Sequence, residues 1–139
     1  MGVIVTDTGF APDDWQGGFA TLAALDGTDA RAVDLANTDD PTRLTNRLGD
    51  IALIRIAFPA FNDGRGFTLA RRLRMMGYTG RLRAQGHIIA DQYAMARRTG
   101  FDEVEISEDL ATRQPADQWQ FRADWRAHDY QARLRAEVA

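Results

Sequence analysis

The chain has no cysteine and no lysine, and only four prolines and two histidines among its 139 residues. Without cysteine it can form no disulfide, no thiolate nucleophile and no cysteine-ligated zinc site or iron–sulfur cluster. The two histidines, His87 and His128, are too far apart in the sequence to match a metal-ligand spacing. The sequence therefore predicts a protein without a metal site.

Long hydrophobic runs are also missing. No apolar stretch approaches the roughly 18 residues of a membrane-spanning helix, so none is expected. The first ten residues, MGVIVTDTGF, lack a basic leader and a long apolar core, which argues against a secretory signal. We therefore expect a cytoplasmic protein. Its length of 139 residues is typical of one domain, covering residues 1–139.

All 17 basic residues are arginines, and they are unevenly distributed. Residues 1–54 hold three arginines against nine acids, residues 55–98 nine against two, and residues 99–139 five against nine. Either the segments neutralise one another after folding, or the centre is a basic patch for an anion or an acidic partner. With a net charge of −3 and a pI near 5.3, the chain is not expected to bind nucleic acid.

Strand-like and helix-like segments alternate along the chain. The predicted strands are Val3–Asp7, Ala32–Ala36, Ile51–Phe58, Arg81–Gln85 and Asp102–Ser107. The predicted helices are Trp15–Leu25 (or an irregular segment there), Pro41–Leu48 behind an Asp40 cap, Asp63–Met76, Ala90–Arg98, Glu108–Arg113 and residues 117–137. Such alternation predicts an α/β fold: an open parallel sheet of four to five strands, flavodoxin-like or a half-barrel, with an extra C-terminal helix.

Four predicted strands carry a charge near the middle: Asp34, Arg55, Arg83 and Glu105. An unpaired buried charge is very costly, so these residues should be paired or reach solvent. If neighbouring strands place them at similar heights, Asp34 meets Arg55 and Arg83 meets Glu105. The alternative is that both arginines point into a ligand cavity.

The segment FPAFNDGRGFTLARRLR joins a strand to an arginine-rich helix through the loop Asn62–Gly66. Ligands of open parallel sheets bind outside the carboxyl ends of the strands, where this loop is expected. Gly64 and Gly66 permit close backbone approach, and Arg65 offers a fork for an oxyanion or carboxylate. Alternatively, the loop is a tight turn in which Asp63 caps the helix and Arg65 pairs with an acid.

His87 follows Gly86 at the end of a predicted strand, where a general acid or base can stand. The alternative is a hydrogen-bonded spectator. The chain has no dinucleotide fingerprint, P-loop, nucleophile elbow or zinc-protease motif. No cofactor is therefore indicated by its motifs.

The C-terminal segment is rich in aromatic residues, including Trp119, Trp125 and Tyr130. One interpretation is a helix that covers the sheet. The other is a homodimer or partner surface through these three residues, since Trp and Tyr are enriched at interfaces.

The segments FPAFNDGRGFTLARRLR, GYTGRLRAQGHIIADQ and RRTGFDEVEI resemble the bacterial domain-of-unknown-function 934 family. The likeness is dense over Phe58–Ile106 and loose over the N-terminal third. His87 departs from the residue types expected there. The resemblance marks Phe58, Pro59, Phe61, Asp63, Gly64, Arg65, Gly66, Arg72, Arg74, Arg83, Gly86, Asp91 and Gln92.

The family has no established activity, so the resemblance attaches no catalytic role to these residues. Its members are sometimes labelled probable oxidoreductases, and their genes are often found beside that of sulfite reductase. The resemblance implies an accessory to assimilatory sulfite or sulfate reduction that binds an oxyanion or an acidic partner, such as a protein of the sulfite reductase pathway, through the Arg-rich strand-end loop. The alternative is a small oxidoreductase-type enzyme with a strand-end active site. The predicted anion- or partner-binding residues are Asp63, Gly64, Arg65, Gly66, Arg72, Arg74, Arg83, His87 and Gln92.

Overall fold

Seven strands form one mixed sheet in the computed structural model, which describes residues 2–123. The strands are β1 Gly2–Thr6, β2 Gly9–Pro12, β3 Ala20–Thr21, β4 Ala32–Leu35, β5 Leu53–Phe58, β6 Arg81–Gly86 and β7 Glu103–Ser107. Their order across the sheet is β2-β1-β7-β6-β5-β4-β3. The α-helices of this part of the chain are α1 Arg65–Met75, α2 Tyr93–Thr99, α3 Glu108–Arg113 and α4 Ala116–Gln120.

The strands β3 to β7 are parallel and lie side by side in chain order. With right-handed crossovers, this order puts the connecting helices on one face of the sheet. The buried residues of α1 and α2 indeed belong to a single core with that face. A flavodoxin-like sheet needs a reversal of parallel strand order and helices on both faces. The parallel strands of residues 2–123 show no such reversal, so the flavodoxin-like form is not confirmed.

The N-terminal strands make the predicted count of four to five strands too low. The predicted strand Val3–Asp7 is confirmed as β1, but β1 runs antiparallel to both β2 and β7. Both β2 and the two-residue β3 escape prediction, because segments this short show no hydrophobic periodicity. The sheet is therefore mixed, with a parallel centre and an antiparallel edge.

The segment Trp15–Leu25 is irregular rather than helical. The indole of Trp15 donates to the carbonyl of Gly18 at 2.8 Å, and Gly18 has a φ of 70°. That backbone conformation suits glycine and cannot continue a right-handed helix. The chain then forms β3 and a 3₁₀ turn at Leu25–Gly27.

The predicted helix Pro41–Leu48 is replaced by two 3₁₀ turns, Pro41–Leu44 and Leu48–Asp50. Its predicted start is confirmed, because the Asp40 carboxylate accepts from the Thr42 amide at 3.0 Å. The Thr45 hydroxyl donates to the Thr42 carbonyl at 2.6 Å. Such local side-chain bonds compete with α-helical hydrogen bonding.

The central helices lie close to their predicted positions. Helix α1 begins at Arg65, two residues later than predicted, and buries Leu69 and Leu73 as the apolar stripe requires. A 3₁₀ turn at Ala90–Gln92 precedes α2. None of the helices within residues 2–123 has the length and apolar content to cross a membrane.

The two faces of the sheet have different compositions, because successive side chains of a strand point to opposite faces. We call the side covered by α1 and α2 the helix face. Its residues are Val33, Leu35, Ile54, Ile56, Phe58, Leu82, Ala84, Val104 and Ile106. We call the other side the charged face, and it carries Asp34, Arg55, Arg81, Arg83, Gln85, Glu103 and Glu105.

The end of the described chain packs on the same core. Trp119 of α4 is fully buried, meets Tyr93 edge-on at 6.1 Å between ring centroids, and donates its indole N–H to Gln114. The predicted helix over residues 117–137 agrees with α4 at its start. Trp125 and Tyr130 lie outside the described residues.

Candidate functional site

A cleft of about 610 Å³ opens at the carboxyl ends of β6 and β7. It lies where ligands of parallel sheets are usually bound. Its lining is about equally polar and apolar and comes from both strands, the turns that follow them, α3, the start of β1 and the turn after β5. The residues are Gly2, Phe61, Gln85, Gly86, His87, Glu105, Ile106, Ser107, Asp109, Leu110 and Arg113.

The floor of the cleft is the last layer of the charged face. Gln85 and Glu105 are paired in register on β6 and β7; Gln85 is half-buried, and Glu105 is buried. Glu105 is neutralised from below by Arg55 at 3.1 Å and Arg83 at 2.9 Å. The Gln85 amide makes no side-chain hydrogen bond to any residue in the described range, so it remains available to a ligand.

One rim of the cleft is held by the turn after β6. The imidazole of His87 stacks on the Phe61 ring, 5.0 Å away at 20°. Gln92 fixes this rim: its amide nitrogen donates to the Phe61 carbonyl at 2.8 Å, and its amide oxygen accepts from the Ile89 amide at 3.0 Å. Gln92 thus positions the rim, while the imidazole has no hydrogen-bond partner within residues 2–123.

The other rim is α3. The Ser107 hydroxyl oxygen accepts from the Leu110 amide at 3.1 Å and caps the helix, which leaves its own proton available for donation. One turn along, Arg113 and Asp109 form an exposed ion pair at 3.2 Å. Sequence reasoning had not singled out Arg113 or Asp109. Their position just after the last strand was the signal that could have found them.

The predicted anion loop Asn62–Gly66 is closed by its own carboxylate. The Arg65 guanidinium forms two hydrogen bonds to Asp63, at 3.0 and 2.7 Å, and Asn37 donates to the same carboxylate at 2.7 Å. The hydrogen bonds from Arg65 hold the pKa of Asp63 well below its usual range. This is the tight-turn alternative: Asp63 accepts from the Arg65 amide at the helix start.

The glycines of this segment serve packing around Phe58. A side chain at Gly66 would place a Cβ 2.5 Å from the Phe58 ring. Gly86 has a φ of 118°, and a Cβ there would lie 2.7 Å from the Phe58 carbonyl oxygen. Gly64, in contrast, has room around it. The Gly66 and Gly86 requirements therefore follow from the fold, without reference to a ligand.

Arg74 and Arg72 have different surroundings. Arg74 donates to the carbonyls of Tyr78, Gly80 and Gly100 at 2.8–3.0 Å, and so ties α1 to the turns that follow α1 and α2. Arg72 is about half exposed, and its nearest acid, Asp40, is 3.9 Å away. Arg74 is thus a structural residue, whereas Arg72 remains open to a partner.

The predicted pairing of charges within the strands is confirmed. Asp34 meets Arg55 at 2.6 Å, and Arg83 meets Glu105 at 2.9 Å. Arg83 also binds Glu103 at 2.6 Å, which joins these five residues into one network across β4 to β7. The hydrogen bond from Arg55 to Asp34 raises the pKa of that guanidinium. Arg83 is fully buried, whereas Arg55 also lines a small cavity of about 310 Å³ together with Asp34 and Gln85.

The N-terminal segment covers this network. Asp13 lies 3.2 Å from Arg83, and Asp14 lies 2.9 Å from Arg81. The Phe19 ring lies 3.8 Å below the Arg55 guanidinium carbon. Acids of the N-terminal third thus neutralise arginines of the basic centre, as the first interpretation of the charge distribution predicted.

Arg83 has one incompletely satisfied group. Its side chain is fully buried, and its Nη2 atom makes no hydrogen bond to the described residues; the nearest acid, Asp14, is 3.7 Å away. Arg83 was predicted as a binding residue. Its burial beneath the covering segment assigns it to the interior of the charged face instead.

The predicted dimer surface changes in one respect. Because Trp119 is fully buried against its own chain, it cannot form part of an exposed contact. A metal site is not indicated either: residues 2–123 contain no group of three histidine or acidic side chains arranged to hold a metal ion.

A family model described as "Bacterial protein of unknown function (DUF934)" matches residues 32–139. The match includes β4 to β7, both rims of the cleft and the loop Asn62–Gly66. No curated protein and no solved structure matches the chain. The chain belongs to the DUF934 family of bacterial proteins.

Proposed function

We propose that this protein binds a small oxyanion in the strand-end cleft and serves as a non-catalytic accessory to assimilatory sulfite or sulfate reduction. The observation that carries the binding step is the convergence of Gln85, His87, Ser107 and Arg113 on the cleft. The link to sulfite reduction rests on the family resemblance alone.

The charges around the cleft favour an anion over a cation. Both carboxylates of the lining already have arginine partners: Glu105 binds Arg55 and Arg83, and Asp109 binds Arg113. The groups of the floor and rims that remain unpaired are neutral: Gln85, His87 and the Ser107 hydroxyl proton. Arg113 is about two-thirds exposed, so an incoming oxyanion can replace Asp109 as the acceptor of its fork.

Isothermal titration calorimetry with sulfite, sulfate and phosphate tests the binding step. We expect saturable binding of at least one of them. Arg113→Ala should weaken binding about tenfold, because a charge-assisted hydrogen bond is lost. Arg71→Ala is the matched control, since Arg71 lies outside the cleft and should bind as the wild type does. No heat with any of the three anions, or unchanged affinity in Arg113→Ala, contradicts the proposal.

Co-purification with sulfite reductase tests the accessory role. The tagged protein should retain sulfite reductase in the presence of sulfite. If neither wild type nor Arg113→Ala retains it, the accessory role is wrong even where the anion binds.

The second candidate is a small enzyme working in the same cleft. It is favoured by the open strand end, where His87 is exposed and within reach of a bound ligand as a proton carrier. If the wild type turns over a bound oxyanion, and His87→Gln loses turnover but still binds it, the enzyme is favoured. If the wild type binds the oxyanion without turnover, the accessory is favoured.

A further inference from the structure

A groove of about 800 Å³ lies beside the strand-end cleft, at the start of β1 and the end of β2. The cleft and the groove share two lining residues, Gly2 and Glu105. They therefore adjoin at the carboxyl end of β7, where Gly2 pairs with Ser107. Because Gly2 has no side chain, none projects from it at this junction. The two spaces can hold different parts of one ligand.

Both spaces are large for a free oxyanion. Their volumes of about 610 and 800 Å³ fall within the range of pockets that bind small organic molecules. Sulfite, sulfate and phosphate have only a few non-hydrogen atoms, so each would fill a small part of the cleft. The size of the spaces therefore favours a ligand whose oxyanion is one end of a larger molecule.

The groove has a more apolar lining than the cleft. Its apolar residues include Phe10, Ala11, Pro12 and Trp15. Trp15 is held in place, because its indole N–H donates to the carbonyl of Gly18 at 2.8 Å. A fixed aromatic side chain packs favourably against another planar ring, in a stacked or an edge-to-face arrangement. The groove therefore favours an aromatic group as the rest of the ligand.

The acids of the groove restrict the charge of this aromatic group. Asp13 and Glu105 each bind Arg83, at 3.2 and 2.9 Å. Glu108, in contrast, is exposed and forms no side-chain hydrogen bond or ion pair with residues of the described range. An unpaired carboxylate disfavours a second anion beside it. The negative charge of the ligand should therefore be confined to the end that lies in the cleft.

We propose that the cleft and the groove together bind an aromatic phosphate or sulfate monoester, with the oxyanion in the cleft and the ring beside Trp15 in the groove. The ester link crosses the junction at Gly2. This inference rests on the oxyanion binding proposed above, and it names the class of molecule that carries the oxyanion.

Isothermal titration calorimetry with matched ligands tests the proposal. Phenyl phosphate and phenyl sulfate are compared with methyl phosphate and methyl sulfate, which have nearly the same charge but no ring. We expect at least one phenyl ester to bind about tenfold more tightly than its methyl counterpart, because its ring packs in the groove. The ester with the larger gain identifies the oxyanion. Benzyl alcohol has the ring without the oxyanion and should bind more weakly than either phenyl ester.

Two variants of the groove locate the ring. Trp15→Ala should remove the gain of the phenyl ester and leave the affinity for the methyl ester unchanged, because Trp15 lies outside the cleft. Ala11→Gln keeps the indole and its hydrogen bond, and its longer side chain at an exposed position should obstruct the groove. Phe121→Ala is the matched control: it removes an exposed aromatic ring that lines neither space and should bind as the wild type does.

The aromatic site and the oxyanion site fail in different ways. If inorganic oxyanions and methyl esters bind but phenyl esters bind no more tightly, the aromatic site is wrong and oxyanion binding stands. If the gain persists in both folded variants, Trp15→Ala and Ala11→Gln, the ring lies elsewhere and the inference is overturned. Benzyl alcohol that binds as tightly as the phenyl esters also overturns it. Absence of binding by every anion, inorganic or esterified, overturns both proposals.

Discussion

On the helix face of the sheet, aliphatic residues of β4 to β7 pack beneath α1 and α2, whereas the charged face buries arginines and carboxylates beneath residues 12–20. Apolar burial is non-directional and tolerates exchanges of similar volume. A buried charge requires its partner at hydrogen-bond distance. The two faces therefore differ in how strictly they specify the alignment of the strands.

The register shows this difference. Asp34, Arg55, Arg83 and Glu103 are direct neighbours across four parallel strands. A slip of one residue in β6 would move Arg83 to the helix face and leave Glu103 and Glu105 without it. A slip of two residues, in contrast, would keep every side chain on its own face and on the helix face would only exchange one apolar residue for another. We infer that the charged face fixes the register while the helix face provides most of the apolar burial.

The largest expected effect is that of Arg83→Met. Methionine replaces the apolar stem of the arginine but removes the cation between Glu103 and Glu105. We therefore expect the free energy of unfolding to fall by about 3 kcal/mol. Urea denaturation measures this. Arg71→Met is the matched control and should stay within about 0.5 kcal/mol of the wild type, because its side chain is exposed.

A double-mutant cycle sharpens the same comparison. Arg83→Met and Glu103→Gln should show a coupling of at least about 1 kcal/mol, because the two side chains share a hydrogen bond of 2.6 Å. Arg83→Met and Leu73→Ala, on opposite faces, should be nearly additive. A loss in Arg83→Met no larger than that in Arg71→Met would mean that the network does not hold this face.

The next largest effect is an alkaline destabilisation that originates on the helix face. Burial raises the pKa of Tyr78 to about 12, from about 10 in the unfolded chain. The folded state therefore holds this proton more tightly. Its contribution to stability is complete below pH 10 and is lost as the pH rises from 10 to 12. The contribution of Tyr78 to the free energy of unfolding should fall by about 1.2 kcal/mol between pH 9.5 and 11.

The charged face should not contribute to the pH dependence of the free energy of unfolding in this range. Hydrogen bonds and ion pairs to acidic residues raise the pKa of Arg55 and Arg81 above the usual value. Denaturation curves at several pH values check this, with Tyr78→Phe as the variant that should flatten the profile. Burial also raises the pKa of Tyr93, so a residual slope is expected in that variant. A profile unchanged by Tyr78→Phe would contradict the assignment.

Much of the fold was predictable from the sequence because its parallel strands are strongly patterned. The run IALIRIAF gives β5, and Gly77 and Gly100 mark the ends of α1 and α2. The same apolar continuity did not predict β2 or β3, which depend on pairing with strands distant in sequence. Strand order and the single helix-covered face result from this long-range pairing, which no local sequence pattern reveals.

The candidate site was predictable in position but not in its residues. Strand ends indicated His87 and the loop Asn62–Gly66, and the cleft does include His87. The charges of Arg65 and Arg74 indicate binding residues, but both side chains are bound within their own chain. Arg65 binds the Asp63 carboxylate, and Arg74 binds three carbonyls in the turns after α1 and α2. A sequence shows that a cation is present, whereas only the folded chain shows which acceptor it has.

The smallest expected effect concerns the cover of the charged face. Phe19→Leu keeps an apolar side chain over Arg55 but removes the ring that faces its guanidinium at 3.8 Å. We expect a loss of about 0.5–1 kcal/mol, the usual strength of a cation–π contact at a partly exposed site. Phe19→Ala should cost more, because apolar area is lost as well. In urea denaturation, equal losses for Leu and Ala would assign the whole contribution to the ring, whereas a Leu variant as stable as the wild type would show that residues 12–20 hold Arg55 by apolar cover alone.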